Sequence, residues 1–295
     1  MQQQKSYIAN NRSGTLYLVA TPIGNLEDMT YRAVRTLNEV DIIAAEDTRV
    51  TRKLTSHFNI ATPLISYHEH NRRKQEQRLL EQLRQGESIA LVSDAGLPAI
   101  SDPGGELVRA ALTHDIPVIP IPGANAALSA LIGSGMATDR FLFLGFLPRE
   151  RGACREMLKQ WRLTEATVLL YEAPHRLLAT LRLIQNEWGN RSGAVVRELT
   201  KQHEEWLRGT VQELINWFTE TPPRGECTLI LEGAPLGSMR QYEGEQLPWW
   251  HELSLKEHVD HFISEGLTTR DAIKRVAIDG GLSRRDVYND YHSGR

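Results

Sequence analysis

A chain of 295 residues with a formal net charge of −3 is long enough for about two domains, and it needs no disulfide or metal to stabilise its core. Its two cysteines, Cys154 and Cys227, lie far apart and outside any metal-ligand spacing, which excludes a zinc motif and is typical of a reducing compartment. No apolar run reaches the ~20 residues of a membrane span, and the first residues lack the apolar region of a signal peptide. We therefore expect a cytoplasmic protein with no membrane partner.

The N-terminal part of the chain alternates short apolar strands with helices. Residues 1–13 are polar and are predicted to form a disordered tail, after which an N-terminal α/β domain covers 14–122. This alternation predicts right-handed crossovers and a mainly parallel sheet. The predicted strands are 15–20, 41–45, 63–66, 88–92 and 116–120, and the predicted helices are 26–38, 49–57, 71–85 and 103–114.

Two turns rich in glycine and proline follow strands of this domain. One contains Pro22 and Gly24, and the other covers residues 94–98. Because ligands of open α/β sheets bind beyond the carboxyl ends of the strands, these turns predict the edge of a binding crevice. Just beyond them, Asp102 followed by Pro103 predicts a helix start with the aspartate as N-cap.

A second α/β domain is predicted over 123–235, where the order of elements changes. Its consecutive strands 193–198 and 204–209 predict a hairpin, and therefore a mixed sheet. Residues 236–253, rich in Gly, Pro and Gln, are interpreted as a connector. Residues 254–295 are predicted to form a small helical unit resembling a helix-turn-helix. Its seven basic and seven acidic residues favour a packing or docking module over direct contact with nucleic acid.

Charge is distributed unevenly along the chain. Residues 49–78 carry seven Lys/Arg against two Glu, and residues 140–162 carry six against two. Residues 201–260, by contrast, carry five Lys/Arg against eleven acids. Two basic segments beside a crevice would attract a polyanion. Solvated faces of surface helices would produce the same pattern, and the sequence leaves both interpretations open.

Charged residues at two strand ends are candidates for chemistry. Glu46, Asp47 and Arg49 follow a buried strand, where carboxylates suit ligand contact or base catalysis and where Asp47 equally suits helix capping. His175 and Arg176 fall in the first turn of a predicted helix, where a cation opposes the helix dipole unless an anion binds there. An ordinary surface arginine is the alternative.

The sequence predicts no metal centre. His68 and His70 are separated by one residue and have no third ligand nearby. No phosphate-cradling lysine follows either glycine turn, which argues against a phosphoryl-transfer enzyme.

Seven long motifs in a fixed order connect the chain with a known family. The chain resembles the small-subunit ribosomal RNA methyltransferase branch of the tetrapyrrole methylase superfamily over residues 14–235. The motifs are VATPIGNL at 19–26, AEDTR at 45–49, SYHEHN at 66–71, VSDAGLP at 92–98, FLFLGFLP at 141–148, YEAPHR at 171–176 and RELTK at 197–201.

The resemblance implies an α/β protein with the two-domain tetrapyrrole methylase fold, and a homodimer. It implies S-adenosylmethionine as methyl donor, bound between the two domains. It also implies methyl transfer to the ribose 2′-hydroxyl of a cytidine in the decoding region of 16S ribosomal RNA, with the assembled 30S subunit as the expected partner.

The resemblance also implies which residues contact the cofactor. Where the family usually has threonine after Asp-Ala-Gly this chain has Leu97, and where Pro-Gly-Pro-Ser is usual it has Ala124 and Asn125, so contacts through the main chain are expected there. The implied cofactor contacts are Pro22, Asp94, Ala95, Gly96, Leu97, Asn125, Ala126, Tyr171 and Ala234.

Because a ribose hydroxyl is only weakly acidic, a base or hydrogen-bond acceptor should assist the transfer. We expect Asp47 or Glu46 in this role first and His175 second. Two rival functions remain: a methylase acting on a small molecule such as a tetrapyrrole, and a ribosome-binding factor without activity. The side chains expected to hold RNA phosphates are Arg49, Arg149, Arg151 and Arg176.

Overall fold

The computed structural model describes residues 3–5, 13–238, 250 and 253–293. The chain divides into two units, Met1–Ala234 and Pro235–Arg295. Most of the predicted tail, 1–13, and of the predicted connector, 236–253, lies outside the described residues. No helix in the described part is long and apolar enough to cross a membrane.

The first sheet of unit Met1–Ala234 has five parallel strands in the order β3-β2-β4-β1-β5. Parallel strands covered by helices on both faces are apolar throughout, and all four residues of β4 are indeed buried. The strands are β1 (Leu16–Val19), β2 (Ile42–Ala45), β3 (Leu64–Ser66), β4 (Ile89–Val92) and β5 (Val118–Ile121).

Helices cover both faces of this sheet. One face packs against Leu37 and its neighbours on α1, and the other packs against Leu83 of α3 and Leu107 of α4. The helices are α1 (Tyr31–Glu39), α2 (Thr48–His57), α3 (Arg72–Arg84) and α4 (Gly105–Thr113).

The strand order reverses between β1 and β4. The chain leaves β1 toward β2 by way of α1, and it leaves β4 toward β5 by way of α4, on the opposite face. The loops after these two neighbouring strands therefore diverge and leave a crevice at the carboxyl edge, which is the usual place of a ligand in such a sheet. Both glycine and proline turns lie there, as the sequence predicts.

The second sheet is mixed, with the order β6-β7-β10-β8-β9. Only β6 and β7 are parallel, and β8 and β9 form the predicted antiparallel hairpin. The strands are β6 (Phe141–Phe146), β7 (Thr167–Glu172), β8 (Ser192–Arg197), β9 (Glu205–Thr210) and β10 (Cys227–Leu231).

Four helices pack on the second sheet. The helix that follows β5 covers one face through Ala127, Ala130 and Leu131, and the other three share a large apolar core on the opposite face. The helices are α5 (Ala126–Ser134), α6 (Arg151–Trp161), α7 (Pro174–Trp188) and α8 (Val211–Glu220).

Two predicted helices begin later than the sequence indicates. The predicted helix 26–38 is interrupted, because Asn25 caps a short 3₁₀ turn (Leu26–Asp28) and Thr30 caps a new start at α1. The predicted helix 103–114 begins at Gly105 with Gly104 as N-cap, so Asp102 does not cap it.

In the described part of the unit Pro235–Arg295, three helices pack around a core that includes Val259, Val276 and Val287. Each helix begins at a serine or threonine whose side chain accepts a hydrogen bond from the main chain of an acidic residue three positions later. The helices are α9 (Leu255–Ser264), α10 (Thr269–Asp279) and α11 (Arg284–His292).

Candidate active site

A cavity of about 370 Å³ lies at the carboxyl edge of the first sheet and is closed by the second sheet. Its walls come from the loop after β4, the first residues of α5, the ends of β6 and β7, and the start of β10. The volume is typical of a small-molecule site. We call this space the cleft cavity.

The first-sheet wall of the cleft cavity consists largely of main chain. Thr21 and Gly96 exchange two backbone hydrogen bonds, of 2.9 and 3.0 Å, and so join the loops after β1 and β4. Gly96 has a φ of +79°, a left-handed conformation that favours glycine. The Thr21 hydroxyl also donates to the Ser93 carbonyl, 3.1 Å away. These bonds fix the peptide groups of residues 95–97 against the cavity.

The second-sheet wall is formed by aromatic rings and a helix start. The Tyr171 hydroxyl accepts a hydrogen bond from the Ala127 main-chain N–H at 3.2 Å, and its ring packs against Phe143 and Phe146. Asn125 caps α5, because its side-chain oxygen accepts from the N–H of Leu128 at 2.9 Å. The wall therefore offers apolar surface together with polar groups that are already hydrogen-bonded.

Asp102 brings an ionisable carboxyl group to the cleft cavity. Burial, followed by the nearby charge of Glu46, raises the pKa of Asp102 to about 6. It lies in a loop where Ala99 and Ser101 adopt left-handed φ values of 66° and 62°. Within the expected helix, Gly104 has a φ of +143°, outside the helical range, so α4 starts after it and Asp102 stays in the preceding loop, where it lines the cavity.

Three other carboxylates cluster beside the cleft cavity. The main-chain N–H of Asp47 donates to Asp94 Oδ1 at 3.0 Å. Burial raises the pKa of Asp94, and burial together with the Asp94 charge raises that of Glu46. Hydrogen bonds from Arg49, through its side chain and its main-chain N–H, lower the pKa of Asp47 to about 2. The cluster therefore contains two carboxyl groups of raised pKa, Glu46 and Asp94, and one of lowered pKa, Asp47.

A wide groove of about 1060 Å³ adjoins the cleft cavity, and both are lined by Phe146 and Ala173. Its basic side chains converge from the loop between β6 and α6 and from α7. They would attract an extended anion. We call it the basic groove, and its cationic or ionisable side chains are Arg149, Arg151, His175, Arg176 and Arg182.

One arginine of the basic groove is engaged in the fold. Arg176 Nη2 donates to the carbonyls of Leu147 and Pro148 at 3.1 and 2.9 Å, and Nε lies 3.4 Å from Glu172 Oε1. Glu172 is buried, with 1% of its side chain exposed, and also accepts from the Thr180 hydroxyl at 2.6 Å. Arg176 thus joins the β6–α6 loop to α7.

The family model described as Tetrapyrrole (Corrin/Porphyrin) Methylases matches residues 15–215. The chain belongs to the tetrapyrrole methylase family.

Curated relatives of similar length identify a group within this family. The ribosomal RNA small subunit methyltransferase I of Halalkalibacterium halodurans is 53% identical over 292 residues, or 99% of each chain. The protein of the same name from Bacillus subtilis is 49% identical over the same shares. The chain belongs to this group of methyltransferases.

Solved structures agree with the fold. The uroporphyrin-III C-methyltransferase of Thermus thermophilus, a complex with S-adenosyl homocysteine, has a TM-score of 0.55 at 20% identity. The match covers 77% of this chain and all of that one. The two-sheet architecture of the tetrapyrrole methylases is therefore present in this chain.

Within this methylase fold, the structure brings most of the predicted cofactor residues together. Pro22 and Asp94 do not line the cleft cavity; they line a second cavity, of about 230 Å³, beside the loop after β1. The predicted cofactor residues that do line the cleft cavity are Ala95, Gly96, Leu97, Asn125, Ala126 and Tyr171.

The structure does not bring Ala234 to the cleft cavity. Strand β10 runs antiparallel to β7, and Cys227 at its beginning pairs with Glu172 at the end of β7. The residues after Leu231 therefore lie at the opposite edge of the sheet, where the Ala234 N–H donates to the Thr164 carbonyl. The start of β10 faces the cavity instead.

The predicted catalytic and phosphate-binding residues fall into separate places. Glu46 and Asp47 belong to the carboxylate cluster and do not line the cleft cavity. Arg49, 87% exposed, is paired with Asp47 at 2.7 Å. His175 lies in the basic groove with Arg149 and Arg151, because the parallel strands β6 and β7 that precede them end at the same edge of the second sheet.

Sequence reasoning missed four ionisable residues that line the cleft cavity: Asp102, Glu172, Glu226 and Cys227. The sequence predicts a helix cap for Asp102 and indicates no role for Cys227. Burial raises the pKa of Cys227 to about 11. Only the direction of β10 reveals its place in the cavity, and nothing in the local sequence specifies that direction. No three His, Cys, Asp or Glu side chains within the described ranges converge as a metal site.

Proposed function

We propose that the protein transfers a methyl group from S-adenosylmethionine to the ribose 2′-hydroxyl of a cytidine in the decoding region of small-subunit ribosomal RNA. Relatives at 44–53% identity that carry the name ribosomal RNA small subunit methyltransferase I support an RNA substrate. One observation carries the proposal: a cavity of small-molecule size lies next to a wide basic groove, and Phe146 and Ala173 line both of them.

The cleft cavity fits a methyl donor of this kind. Its walls combine apolar surface with the main chain of a left-handed turn, and its one aspartate complements the positive charge of a sulfonium. When bound, S-adenosylmethionine supplies an electrophilic methyl group. The residues that would hold it are Ala95, Gly96, Leu97, Asn125, Ala126 and Tyr171.

The basic groove suits the RNA strand that leads to the cavity. Arg149, Arg151 and Arg182 are exposed, and none of them pairs with an acid in the part of the chain that the structure describes. They can therefore contact phosphates, while His175 lies among them near the cavity. Since RNA-modifying proteins recognise nucleotides splayed out of the helix, the groove would receive an unpaired segment.

Asp102 is the best-placed acceptor for the hydroxyl proton. It lines the cleft cavity, whereas Glu46 and His175 do not, and Asp47 is held by Arg49. With a pKa of about 6, Asp102 is a stronger base than an ordinary carboxylate and is still ionised at pH 7. A base of this kind contributes about 10² to 10⁴ in rate.

A methyl-transfer assay on isolated 30S subunits tests the function. We expect the wild-type protein to incorporate tritiated methyl at one ribose, located by ribose-methylation mapping. We expect Asp102→Asn to lower kcat by about 10²-fold or more, with the affinity for S-adenosylmethionine within a few-fold of wild type. The exposed Asp139→Asn serves as the matched control.

Methyl transfer to a nucleobase, or no methyl transfer to any RNA, would refute the proposed reaction. If Asp102→Asn kept full kcat, the reaction would stand and the assignment of the proton acceptor would be wrong.

We also propose that the enzyme acts as a homodimer on the assembled 30S subunit in the cytoplasm. The resemblance to the family implies the dimer, and an apolar stripe on α5 supports it. Leu128 and Ile132, one turn apart, are 47% and 78% exposed, and exposed apolar patches mark contact surfaces.

A further inference from the structure

The C-terminal unit holds a second basic surface, whose residues line neither the cleft cavity nor the basic groove. A depression of about 630 Å³ lies between the N-terminal halves of α10 and α11. We call it the C-terminal groove. Its lining includes the side chains of Arg270, Lys274, Arg284, Arg285 and Tyr288.

The helical spacing places these side chains in two facing rows. Arg270 and Lys274 are four residues apart on α10, and Arg284 and Tyr288 are four residues apart on α11. Ile273, which is buried, forms the apolar floor between the rows. The groove is therefore a channel with a cationic rim and an aromatic ring on one side.

Charge in this unit is segregated although its total is balanced. The acids are used inside the unit: Glu257 and Asp286 cap their helices, Asp260 accepts from the Tyr291 hydroxyl, and Asp279 pairs with Arg275. The four cations of the C-terminal groove form no ion pair with any residue in the described ranges. These four cations are therefore available to attract an anion from outside the chain.

One acid, Asp271, also lines the C-terminal groove, and it offsets only one of the four positive charges. Its carboxylate accepts a hydrogen bond from the Thr268 hydroxyl at 2.7 Å, at the cap of α10. Tyr288 is 54% exposed, and its ring lies 4.4 Å from the ring of His292. One face of the tyrosine is thus supported by the helix while the ring stays accessible.

We propose that the C-terminal groove is a second RNA-binding site, which takes the phosphodiester backbone on its four cations and stacks an unpaired base on Tyr288. Cations in register with an exposed aromatic ring form the combination that single-stranded nucleic acid requires. An acidic protein surface would use the cations but would leave the ring without a stacking partner. This inference rests on the proposed function, because it assigns the site to the RNA substrate.

Steady-state methylation of 30S subunits by the full-length protein tests this site. The groove variant changes Arg270, Lys274, Arg284 and Arg285 to alanine. We expect KM for 30S subunits to rise about 10-fold or more while kcat stays within two-fold, because none of the changed residues lines the cleft cavity. The matched control is Lys256→Ala/Arg275→Ala, which removes two cations of the same unit outside the groove.

The salt dependence of RNA binding tests whether the ligand of the C-terminal groove is a polyanion. Since each phosphate contact with a single strand contributes about 0.7 to the slope of log Kd against log salt, the groove variant should lose about 3 from that slope. Tyr288→Leu should weaken RNA binding without changing the slope, and Tyr288→Phe should bind as wild type, because stacking needs the ring alone.

The outcomes separate the two proposals. If the wild-type protein methylates 30S subunits but the groove variant keeps its KM and salt slope, the second site is refuted and the enzyme stands. If the variant instead dissociates a dimer in sedimentation with an unchanged salt slope, the groove is a protein contact and the inference is wrong. Circular dichroism of each variant checks that the helices remain folded.

Discussion

The half-buried carboxyl group of Asp102 affects stability as well as chemistry. An aspartate in an unfolded chain titrates near pH 4, whereas burial and Glu46 raise the pKa of Asp102 to about 6 in the folded protein. Between these values the folded state holds the proton more tightly. The free energy of unfolding therefore falls as the pH rises from 4 to 6, and ionised Asp102 destabilises the fold above this range.

We expect Asp102→Asn to raise the free energy of unfolding at pH 7.5 by about 2 kcal/mol and to change it little below pH 4. Urea denaturation at the two pH values measures the difference. An equal gain in the free energy of unfolding at the two pH values would show that the gain does not come from the ionisation of Asp102. The same measurement on Asp139→Asn gives the effect of removing an exposed carboxylate. Activity should fall in the same window as the pH drops through 6, since the base must be ionised.

The two arginines of α7, Arg176 and Arg182, have different surroundings, because only Arg176 is bonded to the loop that leads to α6. Arg176 is 23% exposed, bonds two carbonyls and faces the buried Glu172. Arg182, two turns further on, is exposed and lines the same groove. A phosphate contact was predicted for Arg176 from its place in the first turn. Its hydrogen bonds give it a structural role as well.

We expect Arg176→Ala to lower the free energy of unfolding by about 3 kcal/mol, because it strips a buried carboxylate of its cation and leaves two carbonyls without a donor. Arg182→Ala should leave stability within about 0.5 kcal/mol and raise KM for RNA. Chemical denaturation and steady-state kinetics of both variants separate the roles. Equal stability of the two would contradict the structural role of Arg176.

The order and type of nearly all elements could be predicted, because strand and helix periods are local properties of the sequence. Two features of the site could not. Asp102 followed by Pro103 is a typical helix start, but Gly104 adopts a φ of +143°, so α4 begins after it and Asp102 is left in the loop. The resemblance to the family implies a cofactor contact for Ala234, but β10 is antiparallel to β7 and its far end points away from the cleft cavity.

At the level of the complete chain, each hydrophobic cluster among the described residues lies within one of the two units. Each unit therefore has its own core, and the first contains both sheets and the cleft cavity. Chemistry and the C-terminal groove can then be changed independently by mutation. The apolar stripe of Leu128 and Ile132 belongs to the first unit, so the proposed dimer would form through it.

We expect Ile132→Glu to convert the dimer to a monomer in sedimentation velocity, because a charge buried at an apolar contact is costly. The free energy of unfolding of the monomer should change by no more than about 0.5 kcal/mol, since the side chain is exposed within one chain. Tyr31→Glu, at an exposed tyrosine on α1, is the matched control. Persistence of the dimer in Ile132→Glu would place the interface elsewhere.

The position of Cys227 has a consequence for the lifetime of the enzyme. Sulfur is a better nucleophile than a sugar oxygen, so a thiolate beside an alkylating agent would consume it and poison the protein. With a pKa of about 11, about one Cys227 side chain in ten thousand is ionised at neutral pH. With the donor bound in the cleft cavity as proposed, the burial of Cys227 would protect the enzyme from methylating itself.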